Sequence, residues 1–217
     1  MLTVLMPSRG RERQAKEAYE SFLATKVRAD TEMLIVLDED EPGYDGLPAI
    51  RVAHEQPGMG PAINAALAYA APEMYGFCGD DHRFRTHGWD AHVVAANGAL
   101  EGGFVYGNDL FQGENLPTAV FVDARITDAL GWIALPGATH LYLDNAWLAL
   151  GRGLNRLIYL PEVVIEHVHP AAGKAQWDAA YLRVNDPSVY GHDSLVYGEW
   201  INGRFEADIA KVREALR

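Results

Sequence analysis

The sequence holds one cysteine, Cys78, among 217 residues. A lone thiol cannot close an intramolecular disulfide, so nothing here argues for an oxidising compartment. Serine is scarce as well: four occur, and none sits in a Gly-x-Ser-x-Gly turn, which removes the usual serine-hydrolase arrangement. There is no Walker loop. Basic residues are few, 18 Lys and Arg against 30 Asp and Glu, giving a formal net charge of −12. Such a surface repels phosphate backbones, and with no concentrated basic patch nucleic-acid binding is not expected. No run approaches the ~20 apolar residues of a membrane-spanning helix. Arginines interrupt Met1 to Arg13, where a secretory signal would need its apolar stretch. The expectation is a cytoplasmic chain.

What is present reads as one globular unit. Apolar residues make up 49%, enough for a packed core, and no repeat, low-complexity stretch or linker divides residues 1–217. Leu2 to Met6 and Met33 to Leu37 are continuous apolar runs, the pattern of strands buried on both faces. Further strands are expected at Ala49 to His54, Met74 to Cys78, Phe104 to Tyr106, Ala119 to Val122 and Val163 to Val168. Helical spacing marks Arg11 to Thr25, Pro61 to Ala71, Gly88 to Leu100, Tyr142 to Gly151 and Glu206 to Leu216. Strands alternating with helices imply an α/β fold with a mostly parallel sheet flanked by helices. Ala171 to Gly203 is polar, aromatic and weakly periodic, which predicts a loop-rich cover over a site.

In open parallel sheets ligands gather at the carboxyl ends of the strands. Three polar clusters fall there: Pro7-Ser8-Arg9, Asp38-Glu39-Asp40 and Asp80-Asp81-His82. One acidic turn alone is an ordinary solvated connection; three converging are a candidate site. Adjacent carboxylates at Asp80 and Asp81 repel, and a hard divalent cation relieves that repulsion while bridging phosphate oxygens. It would also let an acidic protein hold a diphosphate. Downstream, His167 and His169 are two apart on an extended segment and share a face, a metal-ligand spacing that core or turn histidines also show. Asp/His ligation suits Mn2+ or Mg2+ with phosphate better than a closed zinc site. Asp144 opens a helix off its apolar stripe of Leu143, Ala146, Trp147 and Leu150, which fits either a helix cap or a general base facing a cleft. Gly58-Met59-Gly60 begins like a dinucleotide fingerprint, but Pro61 intrudes and Ile63 stands at the third glycine. Cys78 lies inside an apolar strand and reads as a packed thiol.

The order of these motifs resembles the GT-A fold glycosyltransferases, in particular the family 2-like enzymes and their compact bacteriophage type. The resemblance runs from about residue 2 to residue 181 and implies a Rossmann-like, nucleotide-sugar-binding half over 1–107 and an acceptor half over 108–217. It implies nucleotide contacts from Pro7, Ser8 and Arg9, a base or ribose contact from Asp38, and a donor contact from Asn64. In that segment Ile63 and Ala66 replace the family's arginine and glycine. Phe77 to Asp81 matches the Asp-x-Asp metal motif with Gly79 in place of its first aspartate, so Asp81 becomes the direct ligand and Asp80 a ribose or supporting contact. His167 or His169 matches the late histidine of the metal site, and Asp144 the catalytic base. The implied activity is Mn2+- or Mg2+-dependent transfer of a sugar from a nucleotide-diphosphate sugar to an acceptor hydroxyl, with inversion. Two other readings stay open. A nucleotidyltransferase on a similar scaffold would use Arg9, Arg11 and Arg13 at a triphosphate. A degenerate nucleotide-sugar-binding protein would account for Gly79 and Asn145.

Overall fold

A computed structural model describes residues 1–217. The two continuous apolar runs form interior strands of one eight-stranded sheet. β1 (Leu2–Pro7) lies between β2 (Thr31–Asp38) and β4 (Met74–Phe77), and β3 (Ala49–Val52) pairs beyond β2, all in parallel. The sheet continues through β7 (Val120–Asp123), β6 (Phe104–Asn108), β8 (Leu157–His167) and β5 (His82–Phe84). The β4/β7, β7/β6 and β8/β5 pairs are antiparallel, and β6/β8 is parallel. Parallel pairing thus dominates the half of the sheet that carries the first two polar clusters.

Alternation along β1 shows why both faces are covered. Leu5 packs into a core with Ile63, Trp147 and Trp200, while Leu2, Val4 and Met6 pack into a second with Phe22 and Trp89. The first layer is built from α2 (Met59–Ala66), α4 (Ala124–Leu130), α5 (Leu143–Leu154), α7 (Pro187–Gly203) and α8 (Phe205–Ala215); the second from α1 (Glu12–Thr25) and α3 (Trp89–Ala99). No helix is long and apolar enough to cross a membrane.

Two expectations need correction. The segment 171–203 is mostly helical, with α6 (Ala179–Val184) and then the 17 residues of α7. Its weak periodicity has a physical cause, because α7 fully buries only Asp193 and Trp200, so one of its two inward anchors is a charge. The start signal was still in the sequence: Asp186 caps the helix by accepting from Ser188 N, and Pro187 takes the first turn. Strand β8 is longer than Val163 to Val168. Pro161 interrupts its pattern at a bulge, where pairing with β6 jumps from Gly107–Leu160 to Asn108–Val164. The short β5 and α4 carry too few residues to show a period and were not anticipated.

Candidate functional site

Most of the expected residues converge. Pro7, Ser8, Arg9, Asp38, Asp80, Asp81, Asp144, His167 and His169 all line one cavity of about 760 Å³. Asn64 does not. Its amide donates to Ala134 O at 2.8 Å and accepts from the Ile133 and Ala134 amides at 3.0 and 2.9 Å, so its polar atoms are spent pinning the 133–134 backbone.

At one end of the cavity the β1 and β2 termini are tied together. Asp38 accepts from the Arg9 guanidinium through one oxygen and from His54 Nε2 at 2.7 Å through the other. Ser8 Oγ donates to Asp80 at 2.7 Å and meets the Tyr44 hydroxyl at 2.9 Å. Arg11 Nε lies 3.1 Å from the other Asp80 oxygen, and its guanidinium covers the Tyr181 ring at 4.3 Å. Burial pushes the Asp80 carboxyl up to about 7, against the pull of Arg11. Asp80 is therefore chiefly a buried tie between the β1 and β4 loops.

The metal-competent group differs from the expected trio. Asp81, His82 and His167 bring ligand atoms within 4.8 Å of one another, and His82 faces His167 directly across the β5/β8 ladder with the rings stacked at 4.3 Å. His169 stands aside. Its Nδ1 accepts from Ala171 N at 3.1 Å, and its ring packs between Phe111 and Tyr181. It lies two residues past the end of β8, where its ring stands 5.0 Å from that of His167 but outside the ligand group.

The local chemistry fits a cation. His82 Nδ1 accepts from Gly79 N at 3.0 Å, so a lone pair occupies that nitrogen; yet Asp81 Oδ1 lies only 3.3 Å away. Two electron-rich atoms this close call for a positive charge beside them. On the other side His167 Nε2 stands 3.3 Å from Asp81 Oδ2, while its buried Nδ1 has no hydrogen-bond partner and looks toward Asp109 at 4.0 Å. A proton on that nitrogen, oriented by Asp109, leaves the Nε2 lone pair for a ligand. Asp81 is buried, yet the adjacent His167 and His82 imidazoles hold its carboxyl well below the usual carboxylate range. Because His82 Nδ1 is already engaged, Asp81 and His167 are the better ligands, with His82 as their stacked support. Gly79 makes this possible, since a Cβ there would stand 2.6 Å from Asp81 Oδ1. An aspartate in its place would displace Asp81.

Sequence reasoning missed Asp109, which is 3% exposed. One oxygen accepts from the Phe111, Gln112 and Gly113 amides, and the other accepts from Thr118 Oγ1 at 2.8 Å. The Asp109 carbonyl also accepts from His167 N at 2.9 Å. The roles of Tyr181 and Arg11 beside Asp81 were missed too. The Tyr181 hydroxyl accepts from Arg11 Nη2 and donates to Asp81 Oδ2, each at 2.9 Å. No local pattern marks residues whose partners lie a hundred or more positions away.

Asp144 sits in the first turn of α5, as expected, with Trp147 anchoring the helix by donating to Ile133 O at 2.7 Å. Its only hydrogen bond is to the adjacent Asn145 amide, 2.9 Å, and it has no ion-pair partner. Burial raises its pKa. A carboxylate of this kind in a cavity wall is equipped to take up a proton.

No family model and no curated protein matches the sequence. Solved structures do. A mannosyltransferase from Pyrobaculum calidifontis, solved with GDP-Man and Mn2+, is similar over 99% of this chain and 73% of that one, with TM-score 0.61 and 14% identity. Glucosyl-3-phosphoglycerate synthase from Mycobacterium tuberculosis, solved with Mn2+, UDP-glucose and phosphoglyceric acid, covers 91% of this chain and 80% of its own at TM-score 0.64 and 14% identity. S. aureus TarS in complex with UDP-GlcNAc covers 94% and 72% at TM-score 0.58 and 14% identity. At such identities the likeness is one of fold: the chain has the GT-A, Rossmann-like fold seen in these glycosyltransferases.

Proposed function

We propose that this protein transfers a sugar from a nucleotide-diphosphate sugar to an acceptor hydroxyl, with Mn2+ or Mg2+ held by Asp81 and His167. One observation carries the reading. The Asp81–His167 pair and the Asp144 carboxylate, which has no ion-pair partner, open onto the same cavity. When bound, the cation supplies positive charge for the donor diphosphate and for the oxygen that leaves with it.

The remaining work falls to the chain. Pro7, Ser8, Arg9 and Asp38 form the nucleotide end of the cavity, in the donor half over 1–107. Asp80, tied to Ser8 and Arg11, fixes the loop that presents Asp81. Asp144, from the acceptor half over 108–217, takes the proton of the acceptor hydroxyl. That oxygen forms a bond to the anomeric carbon as the bond from the carbon to the diphosphate oxygen breaks. The nucleoside diphosphate leaves with the electron pair, and in-line attack inverts the anomeric centre.

Of the two other readings, the nucleotidyltransferase loses its main support. Arg9 pairs with Asp38 and Asp40, Arg11 with Asp80 and Asp178, and Arg13 with Glu17, so none is a free cation awaiting a triphosphate. The degenerate binder retains Gly79 in its favour. A thermal-shift panel of UDP-, GDP-, CMP- and dTDP-sugars, each with and without Mn2+, tests the proposal. Stabilisation by a nucleotide-sugar only with Mn2+ supports it, and no shift with any of them overturns it. Release of nucleoside diphosphate by the wild type then separates an enzyme from a binder.

A further inference from the structure

His140 lines the cavity, and neither of its ring nitrogens has a hydrogen-bond partner in the protein, although the groups around it are densely bonded. The loop that carries it is held rigidly. Asp193 of α7, 0% exposed, accepts from the Thr139, His140 and Leu141 amides at 2.9, 2.8 and 2.7 Å, and from Thr139 Oγ1 and His192 Nδ1 at 3.0 and 2.8 Å. From the opposite side Gly60 N donates to Thr139 O at 3.0 Å. Gly58 and Gly60 permit that approach, since a Cβ on either would stand 2.6 Å from a carbonyl oxygen of Thr139 or Ala138. The Gly58-Met59-Gly60 motif thus serves to seat the 138–141 loop. A buried carboxylate and a glycine pair clamp the backbone on both sides, and the imidazole they present is left without a partner.

Such a ring is suited to a neutral ligand. Burial pushes its pKa down to about 4, so near neutral pH it offers one N–H donor and one lone-pair acceptor. It lines the same cavity as Asp81, His167 and Asp144, and it stands four residues before Asp144 in the chain. The same loop runs through Tyr142, whose φ of 62° turns the chain into α5 and Asp144. In the sugar-transfer reading, on which this inference rests, the transferred ring lies between the diphosphate at Asp81 and the base at Asp144. We propose that His140 hydrogen-bonds a hydroxyl of the transferred sugar and is a specificity-determining residue for donors that carry that hydroxyl free.

The test compares a nucleotide-sugar with its own nucleotide. Calorimetric titrations with Mn2+ would use GDP-mannose, UDP-glucose and UDP-N-acetylglucosamine, each beside free GDP or UDP, on the wild type, His140→Ala and His140→Gln. The expected result is roughly 3- to 10-fold weaker binding of the nucleotide-sugar by His140→Ala, the usual range for one net hydrogen bond, with affinity for the free nucleotide unchanged. Glutamine, which keeps a donor and an acceptor, should recover part of the loss. Undiminished nucleotide-sugar affinity in His140→Ala would overturn the assignment. So would an equal loss for both ligands, which places the contact on the nucleotide or reports a collapsed loop. A wild type that binds free nucleotide but none of the three sugars any tighter also overturns it. A wild type that binds none of the UDP-, GDP-, CMP- and dTDP-sugars of the thermal-shift panel overturns the sugar-transfer reading and this assignment with it.

Discussion

At the scale of single residues, the site separates two carboxylates by their surroundings. Asp81 is ionised among histidines, whereas Asp144 stands without a cation and has its pKa raised by burial. Replacing Asp81 by alanine should abolish the Mn2+ dependence of any nucleotide-sugar thermal shift; a Mn2+-dependent shift of wild-type size in Asp81→Ala would refute the ligand assignment. For Asp144→Asn the expectation is a turnover loss of about 10²- to 10⁴-fold with donor affinity retained. The pH dependence has a definite sign. A base works ionised, so wild-type turnover should fall as pH drops through the Asp144 pKa, with that limb above the ordinary carboxylate range near 4. A folded-state pKa above the unfolded one also means that stability contributed by Asp144 is full at low pH and is lost as pH rises through the folded value. Asp144→Asn should therefore melt higher than the wild type at pH 8, and an equal or lower melting temperature would contradict the raised pKa. These residues were legible because acidic groups at strand ends and at a helix start announce themselves within a few positions. His82, Asp109 and Tyr181 were not, since their roles exist only across the β5/β8 ladder or between distant loops. Asn64 shows the opposite error: a motif position resembled a ligand contact, while the side chain answers to a loop whose position local sequence does not reveal.

Among the elements, α7 has the largest gap between sequence signal and structural effect. Its hydrophobic face is thin, and its hold on the cavity wall passes through one buried carboxylate. Asp193→Ala would strand the Thr139, His140 and Leu141 amides without their acceptor. Losing a buried charged acceptor of several amides costs roughly 3 kcal/mol, or about 6–12 °C of melting temperature for a chain of this size. Denaturant unfolding should show the loss, and a change below about 1 kcal/mol would mean that the loop is held by other contacts. Strands β1 and β2 and helix α1 were readable beforehand because each has one dominant period and little else acting on it. Helix α7 and the bulged β8 were obscured by a buried charge and by Pro161, respectively, where tertiary contacts override the local pattern.

For the molecule as a whole, the two halves share one sheet, so ligand binding in the cavity is linked to the stability of the entire fold. A nucleotide-sugar present with Mn2+ at about 100 times its dissociation constant should stabilise the protein by about 2.7 kcal/mol. That corresponds to roughly 5–10 °C, measurable by differential scanning fluorimetry. A saturating ligand that bound without moving the transition would show that the cavity unfolds separately from the sheet.

The strand order carries one more consequence. The two edge strands are also among the shortest, β3 with four residues and β5 with three, while the eight-residue β2 and the eleven-residue β8 lie inside. A stray chain seeking to add itself along β3 or β5 meets only four or three residues, with the charged Arg51 and Arg83 among them. Crowded copies of this protein therefore find little backbone on these two outermost strands to pair with edge to edge.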